Sequence, residues 1–368
     1  MLWGKFMKNR YILALCNIIN PFYWVTIARN KAFDKVWIKS HSFNVPTICI
    51  GNITVGGTGK TPHTEYLVKL LKESHNVAVL SRGYGRKSKG FIKASPESTM
   101  PSIGDEPFQI KSKFPDITVA VDEKRVNGIE QLLGDKEPPG VILLDDAYQH
   151  RYVRAGLNIL LVDSNRPLWN DAQLPFGRLR ESKKGVSRAD IIIFTKCSAN
   201  MPHDEQEQFK KRIGAKEGTP IFFSTVKYGA PYPIFQKKCE PISCIDKEHK
   251  ILLLTGIAKP LPLKAELEKQ AADVTLMQFS DHHNFTQGEL ENIARRFKQT
   301  EGPKRIIITT EKDATRLVSR KELPEEIAAN IYALPIEIEF LNDEKNMFNQ
   351  IIFDYVTENS RDSRLSKG

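Results

Sequence analysis

The stretch TICIGNITVGGTGKTP, residues 47–62, decides the fold. Its first four residues form the apolar, partly β-branched run that is typical of a short buried strand. A glycine-rich turn follows, and the helix candidate Pro62–Ser74 comes after it. A glycine-rich loop between a strand and a helix lets backbone N–H groups face phosphate oxygens, and the start of the helix favours an anion. We therefore predict a phosphate-binding loop, made of Thr54, Val55, Gly56, Gly57, Thr58, Gly59, Lys60 and Thr61.

Two residues of this loop are expected to contact the nucleotide phosphates or their Mg²⁺ ion directly. In loops of this kind the lysine reaches the β- and γ-phosphates, and the hydroxyl of the next residue binds Mg²⁺. Lys60 and Thr61 occupy those positions. The match to the pattern G-x-x-x-x-G-K-[ST] has one departure, because Thr54 stands where the pattern has its first glycine.

A pair of acids follows a second buried strand. Residues 141–144 are all apolar, and Asp145 and Asp146 come directly after them. Ligands of α/β sheets bind at the carboxyl ends of strands, so these carboxylates are candidates to hold Mg²⁺ beside the loop. The guanine-recognising element Asn-Lys-x-Asp is not matched at the late strand, where Lys196 is followed by Cys197 and Ser198. We therefore predict ATP and Mg²⁺ as the cofactors.

Apolar, strand-like runs alternate with helix-like segments along the chain. Runs such as residues 191–193 and 306–308 are continuously apolar, which is typical of strands covered on both faces in a parallel sheet. The sequence predicts an α/β fold: a P-loop NTPase-like parallel-sheet domain, a smaller α/β domain and an N-terminal amphipathic helix that associates with a membrane. With a boundary near residues 214–218, the predicted domains are residues 1–40, 41–215 and 216–368.

The positive charge of the chain is concentrated near its start. The 368 residues carry a formal net charge of +10, and residues 1–40 hold seven Lys and Arg against a single Asp. Aromatic and aliphatic residues such as Trp3, Tyr11 and Trp24 accompany these cations, a composition typical of a helix in a membrane interface. Pro21 interrupts the apolar run before it reaches the roughly 20 residues that a spanning helix needs.

This segment also lacks a small-residue cleavage site, so a secretory signal peptide is not predicted. The five cysteines are odd in number and widely spaced, which fits a reducing compartment. We therefore expect a peripheral, monotopic protein on the cytoplasmic face of a membrane. A basic amphipathic helix that simply packs on the core is the alternative that composition leaves open.

Eight short motifs, taken in order, resemble those of the tetraacyldisaccharide 4′-kinases, the lipid A kinases of Gram-negative bacteria. Each motif is weak alone, but the ordered set covers most of the chain and is highly specific. One departure is Asp-Asp-Ala-Tyr-Gln-His from Asp145, where the family more often has Asp-Asp-Gly-Phe-Gln-His. The motifs are residues 51–62, 80–86, 104–107, 145–151, 174–181, 255–260, 281–283 and 310–313.

The resemblance implies transfer of the γ-phosphate of ATP to the 4′-hydroxyl of a tetraacyldisaccharide 1-phosphate, giving lipid IV-A at the cytoplasmic leaflet of the inner membrane. The family's catalytic base, the aspartate of Gly-Asp-Glu-Pro, maps to Asp105. The histidine that orients this base maps to His282, with the neighbouring His283 as the alternative. Because Asp105 and His282 fall in different predicted domains, the pair is expected to form only when the second domain folds over the first.

The same resemblance implies ligands for the metal and for the lipid. Glu106 and Asp146 are expected to bind Mg²⁺ beside Thr61, with Asp145 holding a water or orienting them. Arginine suits the lipid phosphate because its guanidinium pairs bidentately with phosphate oxygens. Candidates for contacting the 1-phosphate and the sugar hydroxyls are Arg82, Arg125, His150, Arg151, Arg178, Arg180 and Glu181.

Two other classes of protein share some of these features. A membrane-associated P-loop ATPase that switches protein partners would need the basic helix, the phosphate loop and Asp145, but neither Asp105 nor His282. A nucleic-acid-binding ATPase is suggested only by the net charge, and no nucleic-acid-reading motif accompanies that charge. We therefore predict a lipid substrate, no nucleic-acid partner and no obligate protein partner.

Overall fold

The computed structural model describes residues 20–35, 37–235, 238–257, 259–281, 283–302, 304–318 and 323–365. These residues form two compact units, and each unit combines segments that are distant in sequence. Unit 1 consists of Met1–Glu97, Ile110–Val226 and Ile338–Gly368, and unit 2 consists of Ser98–Gln109 and Lys227–Glu337.

Strands and helices alternate along most of the chain, as the sequence predicts. The strands are β1 Thr47–Gly51, β2 Val77–Ser81, β3 Ile92–Lys93, β4 Thr118–Val121, β5 Val141–Asp145, β6 Leu157–Asp163, β7 Ile191–Thr195, β8 Ile221–Tyr228, β9 Tyr232–Pro233, β10 His249–Thr255, β11 Asp273–Gln278, β12 Lys304–Thr310, β13 Ile331–Leu334 and β14 Ile336–Phe340. The α-helices are α1 Pro21–Asp34, α2 Lys60–Leu71, α3 Met100–Ile103, α4 Asp105–Lys113, α5 Arg125–Leu133, α6 His203–Ile213, α7 Leu261–Gln270, α8 Gln287–Gln299, α9 Glu311–Val318, α10 Glu325–Ala328 and α11 Lys345–Leu365.

A large sheet forms the centre of unit 1. In the described part of the chain it has nine strands, in the order β14-β8-β7-β6-β1-β5-β2-β4-β3. The pairings among β1, β2, β4, β5, β6, β7 and β8 are parallel, and the short β3 pairs antiparallel with β4. Strands β1, β2, β5 and β7 are buried along their whole length. Continuous apolar runs thus form strands covered on both faces, which confirms the predicted α/β fold.

The register of two central strands places the predicted acids beside the phosphate loop. Strand β1 lies between β5 and β6, and Ile50 of β1 pairs with Asp145 of β5. Because the strands are parallel, both carboxyl ends lie at the same edge of the sheet, where α/β proteins bind ligands. The loop after Gly51 and the acids Asp145 and Asp146 therefore leave the sheet side by side.

Unit 2 contains a smaller sheet. Among its described residues, five strands follow the order β11-β10-β12-β13-β9, and β10, β11, β12 and β13 are parallel neighbours. One apolar cluster includes Leu263 and Leu267 of α7, and a second includes Leu290 and Phe297 of α8. Alternate residues of β10 contribute to each cluster, Leu253 to the first and Leu254 to the second. Unit 2 thus contains a mainly parallel sheet, to which β9 adds antiparallel, with an apolar core on each face.

The compact units differ from the linear division predicted at residues 215/216. The last segment belongs to unit 1, where Tyr355 of α11 both accepts from the Thr47 N–H (3.0 Å) and donates to the Thr47 carbonyl (3.1 Å). Phe348 packs against Tyr66 and Phe222 in the same unit. Conversely, the segment that carries Asp105 belongs to unit 2. Contacts between residues this far apart in sequence leave no composition signal at a boundary.

The described part of the N-terminal segment consists of helix α1 and the residues that flank it, and residues 1–19 lie outside the described residues. Asn20 Nδ2 donates to the Leu174 carbonyl (2.5 Å), and Asn30 Nδ2 donates to Glu181 Oε2 (3.1 Å). Trp24 and Trp37 expose 54% and 75% of their surfaces. Among the residues that the structure describes, no helix has the length and apolar content needed to cross a bilayer.

Candidate active site

The phosphate loop connects β1 to the N-terminus of α2. Asn52 Nδ2 donates to Thr58 Oγ1 (2.6 Å), which closes the loop on itself. Gly59 caps α2 with a φ of 87°, a left-handed conformation that glycine adopts without a Cβ penalty. Gly51 is required for a different reason, because an added Cβ would lie 2.7 Å from the Cβ of Tyr148. The glycines of the motif thus meet specific steric demands of this loop.

A second motif supports the loop along its backbone. The Val55 N–H donates to the Arg178 carbonyl (2.7 Å), and the Arg180 N–H donates to the Ile53 carbonyl (2.8 Å). Thr54 and Leu179 form the antiparallel bridge between these two bonds. The predicted loop at residues 174–181 is therefore a backbone partner of the phosphate loop, in addition to any ligand that its side chains contact.

Lys196 and Thr195, at the end of β7, hold the carbonyl oxygens of the loop. Lys196 Nζ donates to the Gly57 carbonyl, and Thr195 Oγ1 donates to the Thr58 carbonyl (2.9 Å). Asp163 of β6 accepts from Lys196 Nζ (3.0 Å). Burial raises the pKa of Asp163, but the adjacent Lys196 and Arg166 outweigh this effect and hold the pKa below its usual value. An ionised Asp163 therefore anchors the lysine that holds the loop.

Lys60, Asp145 at the end of β5 and the following Asp146 form the charged centre of unit 1. Lys60 is 9% exposed, and its Nζ lies 3.8 Å from Asp146 Oδ2. Arg180 Nη1 donates to both carboxylate oxygens of Asp146, at 2.9 and 3.0 Å. Asp145 is buried and accepts from Thr64 Oγ1 of α2 (3.1 Å). Asp146 adopts a φ of 46°, which turns the chain sharply out of the strand.

Arg82, Arg125 and His150 give unit 1 a second, strongly positive region. Burial and then the nearby charge of Arg82 lower the pKa of Arg125 to about 10, against the opposing effect of Asp145 and Asp146. The Arg125 N–H donates to His150 Nε2 (3.3 Å), and burial followed by the charges of Arg125 and Arg82 lowers the His150 pKa to about 4. The imidazole is therefore neutral at physiological pH. Arg125 Nε is buried and has no hydrogen-bond partner among the described residues, so an anion here would relieve both the charge and the unmet donor.

Three of the predicted lipid-binding residues have other partners in the structure or are exposed. Glu181 is completely buried and accepts from Arg188 Nη2 (2.8 Å), Gln149 Nε2 (3.0 Å) and Asn30. Arg151 Nη1 donates to the Asn30 carbonyl (2.9 Å), and its Nη2 pairs with Asp34 (2.6 Å). Both side chains therefore hold α1 in unit 1. Arg178 is exposed, and its backbone N–H donates to Asp171 Oδ1 (3.0 Å).

The predicted base lies in unit 2. Asp105 follows Gly104 (φ 93°) and begins helix α4, and Glu106 is the next residue in the same first turn. Arg316 Nη2 forms an ion pair with Asp105 Oδ2, and Arg316 Nη1 lies 3.4 Å from Asp313 Oδ1. Asp313 is fully buried and Arg316 is almost fully buried.

The motifs of the C-terminal half converge on this pair of acids. Asp313 Oδ2 accepts from the Gly256 N–H (2.9 Å) and from Thr310 Oγ1 (2.7 Å). A Cβ on Gly256 would lie 2.7 Å from the Ser280 carbonyl and 3.1 Å from Asp313 Oδ1, so this contact requires glycine. Lys312 Nζ pairs with Asp281 Oδ1 (2.6 Å). Asp281 and His283, on either side of His282, therefore belong to the same unit as Asp105. The sequence pattern places Asp105 and His282 in different predicted domains, from which a domain closure is expected to join them. The division into units removes the reason for that expectation.

His282 itself lies outside the described residues, but the structure describes the alternative candidate, His283. His283 Nε2 pairs with Glu289 Oε2 (2.9 Å), and its Nδ1 lies 3.3 Å from Ser280 Oγ. The ring also stacks on Phe279, with centroids 5.0 Å apart. His283 thus has a structural role at the start of α8.

Sequence reasoning missed Arg316 and Lys196. Arg316 follows Asp313 at i+3 on α9, a spacing that allows the two side chains to touch. That spacing was the only available signal, because Asp105 lies 211 positions away. Lys196 was considered only as part of a guanine motif, whereas the structure shows it holding the phosphate loop.

A family model described as Tetraacyldisaccharide-1-P 4′-kinase matches residues 13–356 of the chain. The chain belongs to this family. It is 49% identical over 372 residues to the Tetraacyldisaccharide 4′-kinase of Bacteroides thetaiotaomicron, with 98% of each chain covered. It is 52% identical over 342 residues to that of Bacteroides fragilis, covering 92% of this chain and 91% of the relative.

Structural comparison agrees with family membership. A crystal structure of LpxK from Aquifex aeolicus, described as an "apo" form in complex with ATP, matches with a TM-score of 0.70 and 27% identity. The match covers 97% of this chain and 100% of that one. Membership in the tetraacyldisaccharide 4′-kinase family confirms the predicted enzyme class, a kinase of lipid A biosynthesis.

Proposed function

We propose that this kinase transfers the γ-phosphate of ATP to the 4′-hydroxyl of tetraacyldisaccharide 1-phosphate, forming lipid IV-A. The observation that carries the proposal is the geometry at the carboxyl edge of β1 and β5. There Lys60, at the N-terminus of α2, lies beside Asp146 in a loop closed by Asn52 and Thr58. A lysine at a helix N-terminus, next to a glycine-rich backbone, is the arrangement that binds nucleotide phosphates.

The residues around this loop also suit a magnesium ion. The Thr61 hydroxyl and the carboxylates of Asp145 and Asp146 form an all-oxygen donor set, which Mg²⁺ prefers. We assign Thr61 and Asp146 as its ligands, Asp145 as the residue that orients them, and Glu106 as a further candidate ligand. When bound, the ion would neutralise charge on the β- and γ-phosphates.

Asp105 is assigned as the base that removes the proton of the acceptor hydroxyl. As the sugar oxygen bonds to the γ-phosphorus, its proton passes to the Asp105 carboxylate. The bond from this phosphorus to the bridging oxygen of the β-phosphate breaks, and ADP leaves with that electron pair. The neighbouring His282 is assigned to orient or charge Asp105, and the engagement of His283 by Glu289 and Ser280 supports that choice.

The positive region of Arg82, Arg125 and His150 is assigned to an anionic group of the substrates, with the lipid 1-phosphate as the proposed ligand. Its support is the buried Arg125 Nε, which has no hydrogen-bond partner among the described residues, together with the lowered pKa of Arg125, which burial and then the charge of Arg82 cause. Arg178 and Arg180 remain proposed contacts of the lipid headgroup. For Arg151 and Glu181, the bonds to α1 support an indirect role, in which they hold the helix beside the site.

Access to an acylated substrate would come from the N-terminal segment. Helix α1 and the residues after it expose Trp24, Val25 and Trp37, and Lys35 Nζ lies 5.3 Å from the Trp37 ring centroid. Exposed aromatic residues mixed with cations suit an interface rich in anionic lipid. We assign this surface to docking on the cytoplasmic leaflet of the inner membrane.

A radiolabel transfer assay tests the proposed reaction. The purified chain is incubated with γ-labelled ATP, Mg²⁺ and tetraacyldisaccharide 1-phosphate in detergent, and the lipid is separated and counted. We expect label in the lipid, and none when the acceptor is omitted. A folded protein that gives no labelled lipid, but whose ATP hydrolysis is stimulated by a protein partner, would instead support the partner-switching ATPase.

A further inference from the structure

Arg316 links the proposed base to the interior of unit 2. Only 2% of its side chain is exposed, yet the guanidinium contacts two carboxylates that differ in their surroundings. Asp313 is completely buried, whereas 28% of the Asp105 side chain is exposed. Nη1 of the guanidinium thus faces the buried carboxylate of Asp313, and Nη2 holds the carboxylate of Asp105, which solvent or a substrate reaches.

The end of this link at Asp313 is rigid. Asp313 Oδ2 accepts from the Gly256 N–H, from Thr310 Oγ1 and from Thr255 Oγ1 (3.4 Å), which leaves its Oδ1 facing Arg316. A carboxylate held by three donors has one orientation, and an arginine beside it is in turn restricted. The residues that hold Asp313 come from β10, its following loop and β12, so the support is part of the sheet edge.

The other end of the link lies at a helix start that needs such support. Gly104 has a φ of 93° and ψ of 163°, so the chain turns sharply just before Asp105. Asp105 is the first residue of α4, so the direction of its side chain is set by the turn at Gly104 and not by a preceding turn of its own helix. An ion pair with a buried guanidinium fixes the direction of this carboxylate.

We propose that Arg316 is a positioning residue for phosphoryl transfer. Asp313 and its hydrogen-bond donors hold the guanidinium in place, and the guanidinium orients the Asp105 carboxylate for removal of the acceptor proton. This inference rests on the proposed function of Asp105 as the base. On this proposal, the Thr-Glu-Lys-Asp motif at residues 310–313 and Arg316 together hold the Asp105 carboxylate in place for the reaction.

A double-mutant cycle tests the proposal with Arg316→Met, Asp105→Asn and the combination of both, each measured by label transfer in the full chain. A misplaced base costs about 100-fold in rate, so we expect Arg316→Met to lower kcat by about that factor. We expect the KM for ATP to stay within about twofold, because the phosphate loop is unchanged. In the Asp105→Asn background, the same substitution should change the residual rate by less than about threefold, since the group it positions is gone.

Two further variants separate positioning from folding. Arg316→Lys keeps the charge but lacks the fork that reaches both carboxylates, so we expect a kcat between those of the wild type and Arg316→Met. If Arg316→Met does not fold, the cycle is completed with Arg316→Lys. The matched control is Arg305→Met, an arginine of the same unit that lies over Phe297 and near Glu326. This control should keep full activity.

The outcomes distinguish the inference from the function on which it rests. Full activity of Asp105→Asn would overturn both the base assignment and the role of Arg316. If Asp105→Asn is inactive while folded Arg316→Met keeps its kcat, the base stands and the positioning role is wrong. An equal loss from the arginine substitution in both backgrounds would also contradict positioning, because the effect would not pass through Asp105.

Discussion

At the scale of single residues, His63 shows how burial sets a protonation state beside the phosphate loop. Its Nδ1 lies 2.7 Å from the Gly59 carbonyl and its Nε2 lies 3.1 Å from Ser224 Oγ. A carbonyl only accepts, so Nδ1 carries the proton and Nε2 accepts from the serine. Burial lowers the His63 pKa from 6.5 to about 4, although the bond to Gly59 acts in the opposite direction.

This lowered pKa predicts an acid-sensitive stability. Below pH 6.5 the unfolded chain takes up a proton that folded His63 takes up only near pH 4, so stability falls as pH drops through this window. We expect His63→Gln to remove on the order of 2–3 kcal/mol of that fall. Urea denaturation of both proteins at pH 7.5, 6, 5 and 4.5 measures it. Parallel stability curves for the two proteins would contradict the assignment.

Single-residue roles differ in how far the sequence reveals them. Lys60, Thr61 and the loop glycines are contiguous, and each is required by the backbone that binds phosphate, so the motif alone predicts them. The ion pair of Asp105 with Arg316 is not predictable in this way, because it joins residues on separate elements. Likewise, Arg151 and Glu181 are recognisable as parts of motifs, but only the structure shows that their charges hold α1.

At the scale of elements, the phosphate loop is a segment held from two sides. The backbone of residues 178–180 pairs with it on one side, and Lys196 and Thr195 hold its carbonyls on the other. The strand, the loop and the helix were predicted from the apolar run and the glycines. The support by Lys196 and Thr195 was not predicted, because a lysine after a strand is also common on a solvated surface.

The support by Lys196 and Thr195 predicts a selective effect on the nucleotide. We expect Lys196→Met to raise the Kd for ATP about tenfold, because one charge-assisted hydrogen bond to the Gly57 carbonyl is lost. The KM for lipid should not change. Isothermal titration of ATP and steady-state kinetics measure the two quantities. Lys210→Met, which removes a pair with Glu207 on α6 and a cation–π contact with Phe223, is the matched control. Equal Kd values for the wild type and Lys196→Met would rule the support out.

At the scale of the whole molecule, segments remote in sequence complete each unit. Tyr355 reaches Thr47 across 308 positions, and the segment 98–109 belongs to unit 2. The sequence predicts the fold class well, since buried parallel strands have an unmistakable apolar pattern. It does not predict which terminal strand or helix joins which unit, because that choice depends on tertiary contacts rather than on local pattern.

The exposed aromatic residues of the N-terminal segment predict how the whole molecule meets a bilayer. We expect the combination Trp24→Ser and Trp37→Ser to reduce flotation with vesicles of anionic phospholipid, since exposed indoles supply much of the interfacial affinity. Transfer to acceptor in detergent should stay unchanged. Met347→Ser removes an equally exposed apolar side chain from α11 and serves as the control. Unchanged flotation of the double variant would exclude this docking surface.

The account assigns nucleotide binding to the Lys60 group and activation of the acceptor hydroxyl to Asp105. The most direct test combines ATP titration with single-turnover label transfer for the wild type, Lys60→Met and Asp105→Asn. We predict that Asp105→Asn binds ATP with a Kd within about twofold of the wild type but transfers phosphate about 100-fold or more slowly. Lys60→Met should weaken ATP binding and slow transfer together. Rapid transfer by folded Asp105→Asn would contradict the account.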